Sequence, residues 1–326
     1  MKDSILVIGA CGQIGVDLTL ALRDKYGSEN VVAADIAKIP HPLIADGRYI
    51  RFDVTDVDLL RAWVLKENVT QAYLLAAVLS ATGEQNPEAA WHLNMKSLLN
   101  VLSVARETGL EKVFWPSSIA VFGGSPKENC PQKTTMTPAT MYGISKLAGE
   151  NWCNYYYNKY GVDVRSLRYP GLISYKAVPG GGTTDYAIEI FHKAITVGTY
   201  QSYLQHNTRL PMLYMDDAIR ATLELMDAPK EKITIRTSYN LAGTSFTPAE
   251  LALAIQHHVP DFTMQYKPDS RQAIADSWPA SIDDSVAQAH WGWQPQFDLK
   301  RMTRYMFAFV NGIYSTHRRE REAVEL

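Results

Sequence analysis

The chain has 326 residues and a formal net charge of −2, which gives neither nucleic acid nor an anionic membrane an electrostatic reason to bind it. Hydrophobic residues make up 46% and charged residues 20%, so a soluble globular protein with a sizeable core is predicted, as one large α/β unit or two interlocked domains. Cysteines 11, 130 and 153 are too few and too scattered for a disulfide framework or a zinc spacing, and they fit a reducing compartment.

The opening stretch, MKDSILVIGACG, turns glycine-rich before an apolar signal-peptide core can form, and no apolar run reaches about 18 residues. The expected address is the cytoplasm, with an organelle matrix left open. SILVIG at 4–9 reads as a strand, and the next stretch sets Ile14, Leu18 and Leu22 at helical spacing. Strands are predicted at 30–36 and 49–54, followed by a helix at 56–67 capped by Thr55. A strand at 71–78, a long helix at 88–108, a strand at 112–117, a helix at 141–160 and a strand at 163–170 continue the alternation. Such alternation predicts a right-handed, doubly wound parallel sheet. After Pro170 the pattern becomes irregular. A glycine-rich loop at 179–187 leads into a helix near 184–197, and short strands at 209–215 and 238–243 flank a helix at 216–227. Helices at 247–258 and 298–313 follow. The expected division is a nucleotide-binding part over 1–170, also receiving about 211–243, and a smaller lobe from 171–210 and 244–315. Residues 316–326 read as a solvated tail.

GACGQIG, residues 9–15, lies between a predicted strand and a predicted helix. Gly9 suits a tight turn, Gly12 lets backbone approach a pyrophosphate, and Gly15 lets helix and strand pack closely. The helix N-terminus adds free N–H groups and a positive dipole end. Asp35 ends the second strand, 20 residues past Gly15, where a carboxylate accepts from the adenosine ribose hydroxyls. Together these predict a bound dinucleotide. A carboxylate there repels a 2′-phosphate, so NAD is favoured over NADP; Lys38 either softens that preference or is a surface lysine. Asp53 closes the third strand, with an adenine contact and a capping or turn role both open.

YGISK, residues 142–146, sets a phenol and an ammonium one helical turn apart. Free tyrosine titrates near about 10, too high for a base at neutral pH. An adjacent ammonium and the positive ring of an oxidised nicotinamide both favour the phenolate. PSSIAVFG, residues 116–123, supplies Ser117 and Ser118 at the carboxyl end of a predicted strand, where ligands of such sheets bind. Tyr142 is thus the candidate base, Lys146 its activator and ribose ligand, and a serine the holder of the substrate oxygen.

With Gly9-x-x-Gly12-x-x-Gly15, LLAA at 74–77, Asn94 in HLNMKSLLNVL, Ser118 and Tyr142-x-x-x-Lys146, the chain resembles the extended short-chain dehydrogenase/reductase superfamily. That superfamily includes the sugar-nucleotide epimerases and dehydratases. The resemblance implies a Rossmann-like doubly wound α/β sheet with a smaller C-terminal substrate lobe. By its place ahead of VFG, Ser118 rather than Ser117 matches the family's catalytic hydroxyl, and Phe122 stands where many relatives carry tyrosine. Further cofactor contacts are implied from Gln13, Ile14, Val54, Leu75, Ala76 and Ala77, and from Asn94, Pro116 and Tyr169.

The segments at 179–192, 207–226, 245–251 and 271–279 narrow the likeness to the short-chain L-threonine 3-dehydrogenases, over about 3–300. This implies oxidation of the β-hydroxyl of L-threonine by NAD⁺, giving 2-amino-3-oxobutyrate and NADH, without metal. A zinc enzyme of another fold runs the same reaction, but no Cys/His ligand cluster matches it here. Substrate contacts are expected from Ser80, Ser118, Tyr142, Thr184 and Trp278; no residue identifies itself as the ammonium partner, Asp185 being only a candidate. Without the likeness, GGGTT reads equally as a capped helix start, Ser80 as a loop serine and Trp278 as lobe packing. The histidines, including His257 and His258, read as surface or packing residues. The aromatic run NWCNYYYNKY at 151–160 suits an interface core. Relatives pair this helix and the 88–108 helix in a four-helix dimer contact, so a homodimer is expected, with burial against the chain's own sheet the plainer account. A nucleotide-sugar epimerase or dehydratase, a non-catalytic NAD sensor and an interaction scaffold stand as alternatives.

Overall fold

The computed structural model describes residues 3–124, 127–177 and 180–324, with side chains as far as 315. The chain begins β1 (Ile5–Ile8), α1 (Gln13–Tyr26), β2 (Val31–Asp35), β3 (Tyr49–Arg51), α2 (Val57–Lys66), β4 (Gln71–Leu74), a short α3 (Ser80–Gly83) and α4 (Pro87–Thr108). It continues with β5 (Lys112–Phe114), β6 (Ser117–Ser118), α5 (Met141–Tyr160), β7 (Val164–Arg165) and β8 (Leu167–Tyr169). Among the described residues the main sheet runs β3-β2-β1-β4-β5-β7, parallel throughout. The β5–β7 pairing resumes past a break as β6–β8, with the register kept: Phe114 faces Arg165 and Ser117 faces Arg168.

β1 is buried on both faces, as a central parallel strand must be. Ile5 and Val7 pack toward α1, against Val16 and Leu18, whereas Leu6 and Ile8 join Leu60, Leu98 and Cys153 from α2, α4 and α5. This two-sided covering is the doubly wound arrangement that the alternation predicts, and it puts every strand's carboxyl end at one edge.

The rest of the chain forms β9 (Gly171–Ile173), α6 (Tyr186–Thr196), β10 (Thr199–Ser202), β11 (Leu210–Tyr214), α7 (Met215–Asp227), β12 (Tyr239–Asn240) and β13 (Thr244–Phe246). α8 (Pro248–Gln256), β14 (Thr263–Tyr266), α9 (Ser270–Asp276), α10 (Ser285–Trp291) and α11 (Leu299–Val324) complete it. β12 adds to β8, β9 pairs with β11 in parallel, β13 runs antiparallel to β11, and β10 pairs with β14. A separate apolar cluster from α6, α8 and α11, including Phe191, Leu251 and Met306, fills this lobe.

Three local expectations are corrected. Asp56, not Thr55, caps α2, because its carboxylate accepts from the N–H groups of Asp58 and Leu59, while the Thr55 hydroxyl is taken by Asp53. β10 and β14 fall where no strand was expected. The stretch read as a tail continues α11 to Val324, in keeping with the helix propensity of its Arg, Glu and Ala residues; 325–326 lie outside the described residues. Among the described residues no helix is long and apolar enough to cross a membrane.

Candidate active site

The glycine loop shows three separate demands. Gly9 has φ +86°, and a Cβ on it would lie 2.6 Å from the Ala76 nitrogen. A Cβ at Gly15 would meet the Gly9 carbonyl at 2.2 Å, so this glycine allows α1 to pack on the loop. Gly12 is different: a Cβ there meets only the Gly9 oxygen at 3.4 Å, and the residue opens onto two adjoining cavities. Gly12 also caps α1 with no side-chain hydrogen bond, and the first turn carries no acid. Free N–H groups, the positive end of α1 and a bare glycine make a cradle fitted to a diphosphate.

The two cavities share Gly9, Gly12, Leu75 and Ala77, so they form one groove across the phosphate loop. The first, about 390 Å³, is lined by Asp35, Asp53, Val54 and Ala76, together with Cys11, Ile36, Phe52 and Leu93, which sequence reasoning missed. Asp35 is aimed by two backbone N–H groups, accepting from Cys11 N of the glycine loop (2.9 Å) and from Ala37 N (3.2 Å). Asp53 makes a turn, accepting at 2.8 Å from both the N–H and the hydroxyl of Thr55, while still facing the cavity. Asn94 lines neither cavity. Its side-chain amide clasps Val78 instead, oxygen to N–H at 2.8 Å and NH₂ to carbonyl at 3.1 Å, and so braces the loop that follows β4.

The second cavity, about 250 Å³, runs from Gln13, Ile14 and Gly15 past Pro116, Ser118, Tyr142, Lys146 and Tyr169 to Ser80, Thr184, Asp185 and Trp278. Tyr169 contributes ring surface, since its hydroxyl is engaged with Thr222. Tyr142 and Lys146 stand on the first two turns of α5, started by Thr140, whose hydroxyl accepts from Gly143 N at 3.1 Å. Lys146 donates to the Pro116 carbonyl at 2.6 Å and lies 4.5 Å from the Trp115 ring centroid and 5.5 Å from that of Tyr142. Burial pushes the Tyr142 phenol up to about 12, and a hydrogen bond with Ser118 pulls against it. Burial likewise pushes the Lys146 ammonium down to about 7, opposed by Cys153 and Glu150. In the cofactor-free protein burial thus outweighs the pull of Ser118 toward the phenolate, and Lys146, the expected activator, donates to a backbone carbonyl one helical turn from the phenol.

At the far end, Ser80 and Thr183 hydroxyls lie 3.0 Å apart, and Thr183 N donates to Ser80 Oγ at 3.3 Å. Asp185 accepts through Oδ2 from Gly181 N (3.0 Å) and Gly182 N (2.8 Å), and burial pushes its carboxyl up to about 6. Trp278 is buried, and among the described residues its indole N–H has no partner. A buried donor left unpaired where it borders a cavity is suited to a polar ligand. Pro179 lies outside the described residues.

Residues 5–242 match the NAD dependent epimerase/dehydratase family. The chain belongs to that family. It is 46% identical over 310 residues to a protein named L-threonine 3-dehydrogenase, mitochondrial, from Bos taurus, covering 94% of this chain and 83% of that one. The holo form of a GalE-like L-threonine dehydrogenase from Cupriavidus necator superposes with a TM-score of 0.90 at 55% identity, covering 94% of this chain and 99% of that one. A monomeric L-threonine 3-dehydrogenase from a metagenome, in its apo form, gives 0.91 at 47% identity over 95% and 99% of the two chains. As in that family, the cofactor is NAD, and the fold is the Rossmann-like one of the extended short-chain dehydrogenases.

Proposed function

We propose that the protein is an L-threonine 3-dehydrogenase, oxidising the β-hydroxyl of L-threonine with NAD⁺ to 2-amino-3-oxobutyrate and NADH. The observation that carries this is the pairing, in one 250 Å³ cavity, of a Ser118–Tyr142 end with a small polar end built from Thr184, Asp185 and Trp278. That polar end offers a carboxylate for an ammonium and hydroxyl and indole donors for a carboxylate, the two charged groups of an amino acid.

Gly12 and the start of α1 hold the diphosphate, Asp35 the adenosine ribose and Lys146 the nicotinamide ribose. The bound oxidised cofactor supplies the hydride acceptor and a positive charge beside the phenol. Ser118 orients the β-oxygen, and Tyr142, as the phenolate, removes its proton. Asp185 pairs with the substrate ammonium, while Ser80, Thr184 and the Trp278 N–H receive the carboxylate. The lobe from 171–210 and 244–315 thus provides the substrate side of the groove. The three free thiols fit a reducing compartment such as the cytoplasm.

Two-fold pairing through α4 and α5 is part of the same reading. Trp91, Trp152, Tyr155 and Tyr160 are each more than a third exposed, and the last three lie in edge contact on α5. Light scattering of the wild type and of Trp152→Glu tests it, a monomeric wild type refuting the dimer. A spectrophotometric screen of NAD⁺ against threonine, serine, 3-hydroxybutyrate and UDP-sugars tests the activity; threonine is expected to give the NADH signal, and a response confined to UDP-sugars would overturn the assignment.

A further inference from the structure

Glu150 lies one turn beyond Lys146 on α5 and is wholly buried. Arg168 on β8 grips it as a fork, Nε to Oε1 at 2.8 Å and Nη2 to Oε2 at 2.7 Å. Ser117, the neighbour of Ser118, donates its hydroxyl to the same Oε1 at 2.6 Å. The guanidinium is itself fixed, donating through Nη1 to the Gln132 carbonyl (3.1 Å) and Asn240 Oδ1 (2.9 Å). On the preceding position of the helix, a Cβ at Gly149 would lie 2.4 Å from the Trp115 ring, so the missing side chain is what lets that indole lie beside Lys146.

A buried ion pair is a poor device for stability, because desolvation offsets most of its attraction. This one links β8 to the two elements that carry the reacting groups, β6 and α5. We propose that Glu150, clamped by Arg168, is a positioning residue for the reaction: through Ser117 it ties the strand end bearing Ser118 to the helix bearing Tyr142 and Lys146, and it presents a negative charge to Lys146. The inference rests on the roles given above to Ser118, Tyr142 and Lys146.

The groups facing Lys146 agree with this. From α5 they are Tyr142, Glu150 and Cys153, and from β8, behind Glu150, Arg168. The Cys153 thiol is pushed well up by burial and carries no charge at neutral pH. Trp115 and Pro116 from the β5–β6 connection are neutral, as are Asn94 and Leu98, which meet Ser145 and Gly149 from α4. Glu150 is thus the negative charge in this set, and the ammonium it favours is the form that binds a ribose and a phenolate.

The experiment follows the Lys146 side chain by NMR through a pH titration of the cofactor-free protein, beside threonine turnover. In Glu150→Gln the Lys146 midpoint falls by about one pH unit, because the carboxylate is gone and Arg168 is left unpaired. In Arg168→Met it rises. Ser117→Ala removes one hydroxyl and no charge: it leaves the midpoint in place and lowers kcat about tenfold with KM for threonine unchanged, the signature of a displaced Ser118. An unmoved midpoint in either charge variant, or wild-type turnover in Ser117→Ala, overturns the proposal. Should the charge variants fail to fold, Ser117→Ala alone decides between the two outcomes. If the wild type oxidises no threonine, the dehydrogenase reading fails, while the titration, needing neither substrate nor cofactor, still judges Glu150.

Discussion

Lys146 donates its hydrogen bond to the carbonyl of Pro116, the residue that leads into the strand bearing Ser118. The helix with the phenol and the strand with the serine are therefore joined beside the candidate catalytic groups, and the ammonium is buried with them. Burial disfavours both charged forms, phenolate and ammonium, in the cofactor-free protein. In the proposed reaction the phenol would be tipped toward ionisation once an oxidised nicotinamide, a positive charge, is bound.

Tyr142→Phe should lower kcat by about 10² to 10⁴ while leaving NAD affinity within about twofold, as loss of a general base does. Stopped-flow turnover and fluorescence titration of NAD check the two halves. For the wild type, kcat should rise with pH through neutrality, since the phenol must lose its proton and burial holds it up.

If Asp185 pairs with the substrate ammonium as proposed, a second pH dependence follows, confined to substrate binding. Its carboxyl is pushed up to about 6, so it is ionised above that pH and the attraction for an ammonium is lost as pH falls through it. KM for threonine should rise on that side, and Asp185→Asn should raise KM at pH near about 8 by roughly tenfold and flatten the acid limb. A KM that ignores both changes removes Asp185 from the ammonium site.

In the proposed reading Asp35 holds the adenosine ribose and so sets the cofactor preference. Its replacement by Ser should weaken NAD and admit NADP, because the repulsion of a 2′-phosphate goes with the carboxylate. Steady-state kinetics with each cofactor read the ratio; unaltered selectivity contradicts the ribose assignment.

The glycines separate packing from binding. Gly15→Ala should cost about 1–3 kcal/mol of stability through overpacking, seen as a lower Tm. Gly12→Ala has room to fold and should keep Tm near wild type while weakening NAD, because the added methyl faces the groove.

Much of this was legible in the sequence because the nucleotide half follows strong periodicities. The β1–α1 turn, α4 and α5 fall where residue spacing places them, and α5 has the expected limits, Met141–Tyr160. The lobe was harder. β10 is TYQS and β14 is TMQY, four-residue strands mixing polar and aromatic residues, whose pairing joins distant segments. Asn94 carried a motif signal but serves the loop behind the groove, a distinction only hydrogen-bond geometry makes. Cys11, Ile36, Phe52 and Leu93 line the cavity beside Asp35 without any signature, being apolar or small residues that the strand ends and α4 bring together. The Arg168–Glu150 pair has no local pattern either, its members standing 18 positions apart on separate elements.

The central claim is that the carbon bearing threonine's β-hydroxyl gives up its hydrogen to the nicotinamide. L-threonine deuterated at C3, incubated with the protein and NAD⁺, tests this by mass spectrometry of the reduced cofactor. The account predicts one deuterium in each NADH formed and an almost silent Tyr142→Phe control. Unlabelled NADH, or none from threonine at all, would contradict it.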